Sequence, residues 1–201
     1  MKLGRAGTAV LAAALPLLFT LGCARSPTFH GQVVEPVRQA PPLAGVNWDG
    51  KPFHLSDHGG KVAVVFFGYT YCPDVCPFTL AKMKQLYNRL GAQAKDVEVV
   101  FVSVDPQRDT VDKLAMYVPS FDRRFYGVRV EPEALNVVAK SFELTVQYGA
   151  PKDGAEAVGN YFVDHTATFF VIDRRGQLRL KFPPSASINQ MLPDIETLLT
   201  T

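Results

Sequence analysis

Two cysteines stand four positions apart in Gly68-Tyr69-Thr70-Tyr71-Cys72-Pro73-Asp74-Val75-Cys76-Pro77, between an apolar run and a helical pattern. The run before them, Lys61 to Phe67, is continuously β-branched and aromatic. That is the pattern of a strand buried on both faces, as in a parallel or mixed sheet. After them, Leu80, Met83, Leu86, Tyr87 and Leu90 recur at helical spacing, and Gly91 stops the helix. Pro77 biases Cys76 away from the α region, so the helix is expected to begin at Pro77. Both cysteines then sit in a constrained loop at a helix N-terminus, where the partial positive charge favours thiolate. Asp74 opposes this, which predicts a modest depression of the thiol pKa.

The rest of the chain supplies a scaffold. Gly45 to Leu55 reads as a short hairpin turning at Asp49-Gly50. Its histidine, His54, and the nearby His58 read as surface or packing residues. Val97 to Val104 is a second buried strand pattern. Asp105-Pro106-Gln107-Arg108-Asp109-Thr110 follows as a turn, with Asp109 or Thr110 capping a helix through Val118. Phe125 to Val130 is a short extended segment, Pro132 to Phe142 a helix, and Ala150 to Asn160 a polar loop. Val163 to Asp173 and Leu178 to Phe182 form an antiparallel hairpin about Arg174-Arg175-Gly176-Gln177. Ser187 to Leu199 closes the chain as a helix interrupted near Pro193. A strand-loop-helix with paired cysteines, closed by such a hairpin, is the thioredoxin-like α/β arrangement: a mixed central sheet flanked by helices, here with an N-terminal β-hairpin addition. In that fold the loop entering the hairpin lies beside the cysteine loop, which would bring His165 next to Cys72 and Cys76.

The 201 residues, 47% hydrophobic and 20% charged, suit one globular domain plus a leader. Lys2 and Arg5 precede the apolar run Ala9 to Leu21, which is short, contains Pro16, and reads as a signal peptide over residues 1–22. Without those two charges the net charge falls from +2 to zero. No basic cluster supports nucleic-acid binding. Thr20-Leu21-Gly22-Cys23 is similar to a bacterial lipoprotein processing site, with Thr20 where leucine is usual; lipidated Cys23 would anchor the chain to a membrane. Residues 23–42, with prolines at 27, 36, 41 and 42, read as a tether, and residues 43–201 as the globular domain.

The chain resembles the Sco/SenC family of copper-binding, thioredoxin-like assembly factors for cytochrome c oxidase. The resemblance covers residues 45 to 200. It rests on Gly68 to Pro77, on Asp105 to Thr110, and on Val163-Asp164-His165-Thr166. It implies that Cys72, Cys76 and His165 are copper ligands. Phe78 stands where a small polar residue is commoner, which touches helix packing and not the ligands. Two thiolates and an imidazole are a soft, low-coordinate set suited to Cu(I) and tolerable for Cu(II). Val75, Tyr69, Tyr71 and Phe66 would surround it with apolar groups, and Asp164 is a candidate for supporting the site or touching a partner. The implied role is a metallochaperone rather than a turnover enzyme. It would be a monomer anchored on the extracytoplasmic side of the bacterial cell envelope, with copper supplied by an upstream donor. It would deliver the ion to the binuclear copper centre of an oxidase subunit.

Other readings of the cysteines stay open. A structural disulfide across so small a loop would restrain the unfolded chain little. A redox pair could reduce the cysteines of the oxidase copper-centre subunit and be recycled by a thiol reductase. Zinc or another metal could take the same donors. A peroxiredoxin-like peroxidase is disfavoured, because the residue three before each cysteine is Pro73 or Tyr69 instead of Thr or Ser.

Overall fold

A computed structural model describes residues 28–149 and 161–201. In chain order the elements are β1 (Gln32–Gln39), β2 (Ala44–Asn47), β3 (Pro52–His54), β4 (Val62–Gly68), α1 (Val75–Leu90), β5 (Val97–Ser103), α2 (Val111–Phe121), β6 (Tyr126–Arg129) and α3 (Pro132–Ser141). Then come β7 (Val146–Tyr148), β8 (Val163–His165), β9 (Phe169–Ile172), β10 (Gln177–Phe182) and α4 (Ile188–Thr200). The main sheet has the order β1-β10-β9-β4-β5-β6-β2-β3, and β7 pairs with β8 in a separate ribbon. Strands β4, β5 and β6 run parallel, while the remaining neighbours pair antiparallel. This is the thioredoxin-like arrangement, with the β2–β3 hairpin added at one edge.

Every residue of β4 and β5 is buried. Successive side chains of a strand face opposite ways, and the two faces meet different partners. Val62, Val64, Phe66, Val97, Val99 and Phe101 pack with α1, α2 and α4, through Leu80, Met83, Leu114, Ile195 and their neighbours. Ala63, Val65, Phe67, Val100 and Val102 pack on the other side with α3, Phe53, Leu55 and Val163. Each fully buried Phe or Val contributes roughly 1.5–3 kcal/mol. Because both faces are covered, the strand run shows no alternation.

The structure corrects four expectations. Residues Gln32–Gln39 lie in the stretch read as a tether, yet they form β1 along the edge strand β10. The prolines misled because an exposed edge strand tolerates them: Pro36 falls where the pairing register shifts between Val33 and Arg38. The start of this strand is held by buried Asp194 of α4, which accepts the N–H of His30 at 2.8 Å and of Gly31 at 2.9 Å. The ordered domain therefore extends well before Leu43. Second, α4 runs through Pro193 without interruption; only one backbone bond is forfeited, while Met191, Ile195 and Leu198 are buried on the sheet. Third, α1 starts at Val75, so Cys76 lies in the first turn and Pro77 takes a position whose N–H would lack an intrahelical partner in any case. Fourth, Val163 to Asp173 is two strands, split at Thr166–Thr168, of which only β9 joins the main sheet. The proposed signal peptide, Cys23 and the Ala150–Asn160 loop lie outside the described residues. Among the described residues no helix is long and apolar enough to cross a membrane.

Candidate metal centre

Strand β4 ends at Gly68, and α1 begins seven residues later, so the cysteine loop bridges the buried sheet and a helix N-terminus. The carbonyl of Gly68 accepts the N–H of Val104 at 2.8 Å, which holds the strand end against the chain leaving β5. Cys76 is fully buried and Cys72 half-buried, and both are free thiols. The Cys76 thiol donates to the Cys72 sulfur, which also accepts the backbone N–H groups of Cys76 and Asp74. These donors outweigh burial and lower the Cys72 pKa from 9.0 to about 5. The same hydrogen bond, together with burial, pushes the Cys76 thiol up. The depression is larger than the sequence predicts, because the partner thiol supplies the main stabilisation and Asp74 contributes a donor from its backbone.

His165 ends β8. Its ring stands edge-on to Tyr69, with centroids 5.9 Å apart, and its Nδ1 lies 3.3 Å from the Thr166 carbonyl oxygen. Tyr69 also accepts the N–H of Val163 on its hydroxyl at 3.4 Å, tying β8 to the strand end before the cysteines. The ring is near enough that its charge lowers the Cys72 pKa. The fold therefore brings the two sulfurs together and sets the imidazole against Tyr69, three residues before Cys72. Among the described residues no three His, Cys, Asp or Glu side chains converge closely enough to hold a metal ion. Asp164 is exposed, pairs in register with Gln147, and faces away from His165 as strand alternation requires.

The apolar surround is uneven. Phe66 and Tyr69 are buried beneath the loop, whereas Tyr71, Val75 and Phe78 are exposed, with Phe78 at 71%. Tyr71 and Val75 thus form a rim and leave Cys72 approachable. His58, read as a packing residue, stacks on Phe53 at 4.7 Å beside the β2–β3 hairpin, far from the cysteines.

The turn after β5 carries residues that sequence reading took as a turn, a cap and part of the family resemblance, with no contact to the cysteine loop. Thr110 does cap α2, accepting the N–H of Lys113 at 3.3 Å. Asp109, however, is fully buried and grips the cysteine loop. Its carboxylate accepts the Thr70 hydroxyl at 2.6 Å, the Thr70 N–H at 3.1 Å and the Ser103 hydroxyl at 2.7 Å. Burial raises its pKa against these hydrogen bonds. Asp105 and Arg108 are buried beside it as an ion pair. The available signal was the charge density: three charged residues directly after a buried strand must be either exposed or mutually satisfied.

Comparison with known proteins agrees with this fold. The SCO1/SenC family profile matches residues 35–200. The chain is 28% identical to the SCO2-like protein of Rickettsia felis over 147 residues, covering 73% of this chain and 70% of that one. It is similar to apo Sco1 of Thermus thermophilus, with TM-score 0.74, 35% identity, and coverage of 85% and 97% of the two chains. It is also similar to Bradyrhizobium japonicum ScoI, solved with copper bound, with TM-score 0.71, 30% identity, and coverage of 80% and 99%.

Proposed function

This chain belongs to the SCO1/SenC family, and on that premise we propose that it is an extracytoplasmic copper metallochaperone holding one copper ion on Cys72, Cys76 and His165. The observation that carries this reading is the thiolate-poised Cys72, hydrogen-bonded to a second cysteine at a helix N-terminus, with the His165 imidazole in contact with Tyr69 of the same loop. Sulfur and imidazole donors match a soft monovalent cation, and Cu(II) is tolerated by the same set. Copper in the ScoI relative supports the choice of metal. The copper is cargo. Three ligands at an approachable loop allow the ion to pass by ligand exchange, here to the binuclear copper centre of an oxidase subunit.

The anchor belongs to the same proposal. Lipidated Cys23 would hold the domain to the bacterial envelope membrane. The start of β1 pairs beside Lys181, at the end of β10 opposite Phe169 and hence near the cysteine pole. Cys23 stands only seven positions before His30 in the sequence, so the tether would keep that pole close to the bilayer. Mass spectrometry of the mature N-terminus tests the lipid directly.

Titrating the reduced chain with Cu(I) tests the site. One ion per chain is expected, lost in Cys72→Ser and Cys76→Ser and weakened in His165→Ala. Parent-like binding in all three variants would overturn the assignment.

The asymmetry of the two thiols favours a second reading, thiol–disulfide exchange. Approachable Cys72 would attack a disulfide in the oxidase subunit, releasing one partner thiolate and forming a mixed disulfide. Cys76 would then displace the second partner sulfur, leaving Cys72–Cys76 oxidised and the partner reduced by two electrons. Rapid reduction of that subunit by the metal-free dithiol, without copper transfer, would select this reading.

A further inference from the structure

The ribbon that carries His165 is held together internally. The N–H of Thr166 donates to the Thr145 carbonyl at 3.0 Å, that of Thr145 to the Thr166 hydroxyl at 3.0 Å, and that of Gly149 to the Phe162 carbonyl at 2.8 Å. What fixes the ribbon to the body of the domain is a different set of contacts, and Arg108 stands at its centre. Its guanidinium carbon lies 3.6 Å from the centroid of the Tyr161 ring, 4.9 Å from that of Tyr71 and 5.6 Å from that of Tyr69. Tyr161 lies four residues before His165, and Tyr71 directly precedes Cys72. One planar cation is therefore packed between the segment bearing the imidazole and the segment bearing the sulfurs.

The packing is directional. Arg108 Nη1 donates to the Tyr161 carbonyl at 2.8 Å, and Nε donates to Asp105. The other carboxylate oxygen of Asp105 accepts the Tyr161 hydroxyl at 2.7 Å. Asp105, Arg108 and Tyr161 thus close a triangle across the β5–α2 turn and the ribbon. Two tyrosine hydroxyls add further attachments: Tyr69 accepts the N–H of Val163 at 3.4 Å, and Tyr148 donates to the Val104 carbonyl at 2.7 Å. Removing a guanidinium from water costs several kcal/mol unless it is fully paired, and a plain turn needs no such group. A lysine ammonium could keep the charge but not the planar fork or the stacked face.

We propose that Arg108 is a positioning residue that sets the His165 arm relative to the Cys72–Cys76 loop, and so tunes the imidazole's share of metal affinity. The affinity part rests on the copper reading above; the positioning part does not.

The test uses Arg108→Lys and, as a milder change, Tyr161→Phe, which removes only the hydroxyl to Asp105. In the metal-free chain, amide exchange at Val163 and His165 should rise about tenfold or more in Arg108→Lys while exchange in β5 stays at the parent rate, as local opening allows. Tyr161→Phe should move the same amides by less. Cu(I) affinity should fall about tenfold in Arg108→Lys, as for groups that orient metal ligands. In a His165→Ala background the same substitution should change nothing, because the coupled partner is gone. Equal losses in both backgrounds would show that Arg108 acts by general stability and would overturn the proposal, as would parent-like exchange at β8. If the parent binds no Cu(I), the copper reading fails and the exchange data alone decide the arm.

Discussion

A Cβ atom placed on Gly68 would lie 2.8 Å from the Cys76 sulfur and 2.7 Å from the Phe101 ring. The end of the central strand thus approaches the buried sulfur as closely as a hydrogen permits. Gly68→Ala is expected to cost ~1–3 kcal/mol by overpacking. The displaced Cys76 thiol should donate less well to Cys72. Urea unfolding checks the first effect, and an upward move in the pH midpoint of Cys72 alkylation checks the second.

The lowered pKa of Cys72 makes alkylation of the reduced chain pH-dependent with a midpoint of about 5 and one fast thiol. Cys76 should stay slow throughout, since its thiol is buried and held protonated. A pKa depressed from 9.0 to about 5 adds stability that is fully present only above the unfolded value and is lost as pH falls to the folded one. The urea midpoint should therefore rise between pH 5 and 8. Cys72→Ser should flatten that rise, and an unchanged slope would contradict the assignment. The effect is modest, because the sulfur is half-exposed to screening water.

Asp109→Ala leaves the Thr70 and Ser103 donors without their buried acceptor. The expected cost is roughly 2–3 kcal/mol. Asp109→Asn, which keeps one acceptor oxygen, should recover part of it. Because Thr70 sits two residues before Cys72, the alanine variant should also expose Cys76 to faster alkylation at unchanged pH.

Asp194→Ala removes the acceptor for the His30 and Gly31 N–H groups at the start of β1. A loss of about 1–3 kcal/mol is expected. Amide exchange should rise along β1 first, with β4 and β5 unaffected. If β1 amides exchange at the parent rate, the strand is held by its pairing with β10 alone.

The central architecture was legible because it depends on local pattern. An uninterrupted apolar run such as Lys61 to Phe67 can satisfy its surface only between two layers, and helical spacing after Cys76 permits one buried face. The charged turn was misread for a physical reason: Asp105, Arg108 and Asp109 find their partners at Tyr161 and Thr70, far along the chain, and no local spacing records that. β1 was missed because an edge strand with most residues exposed has neither alternation nor burial to betray it.

By itself, then, the sequence determined the thioredoxin-like order of the central elements and the cysteine pair at a strand-to-helix junction, since periodicity and short-range turn chemistry are properties of neighbouring residues. Only the tertiary structure decided how strongly Cys72 is ionised, how far His165 stands from the sulfurs, and which buried cation lies between the two segments. Those outcomes depend on hydrogen bonds and packing closed over long chain separations, where the energy of a contact is set by which groups exclude water from it.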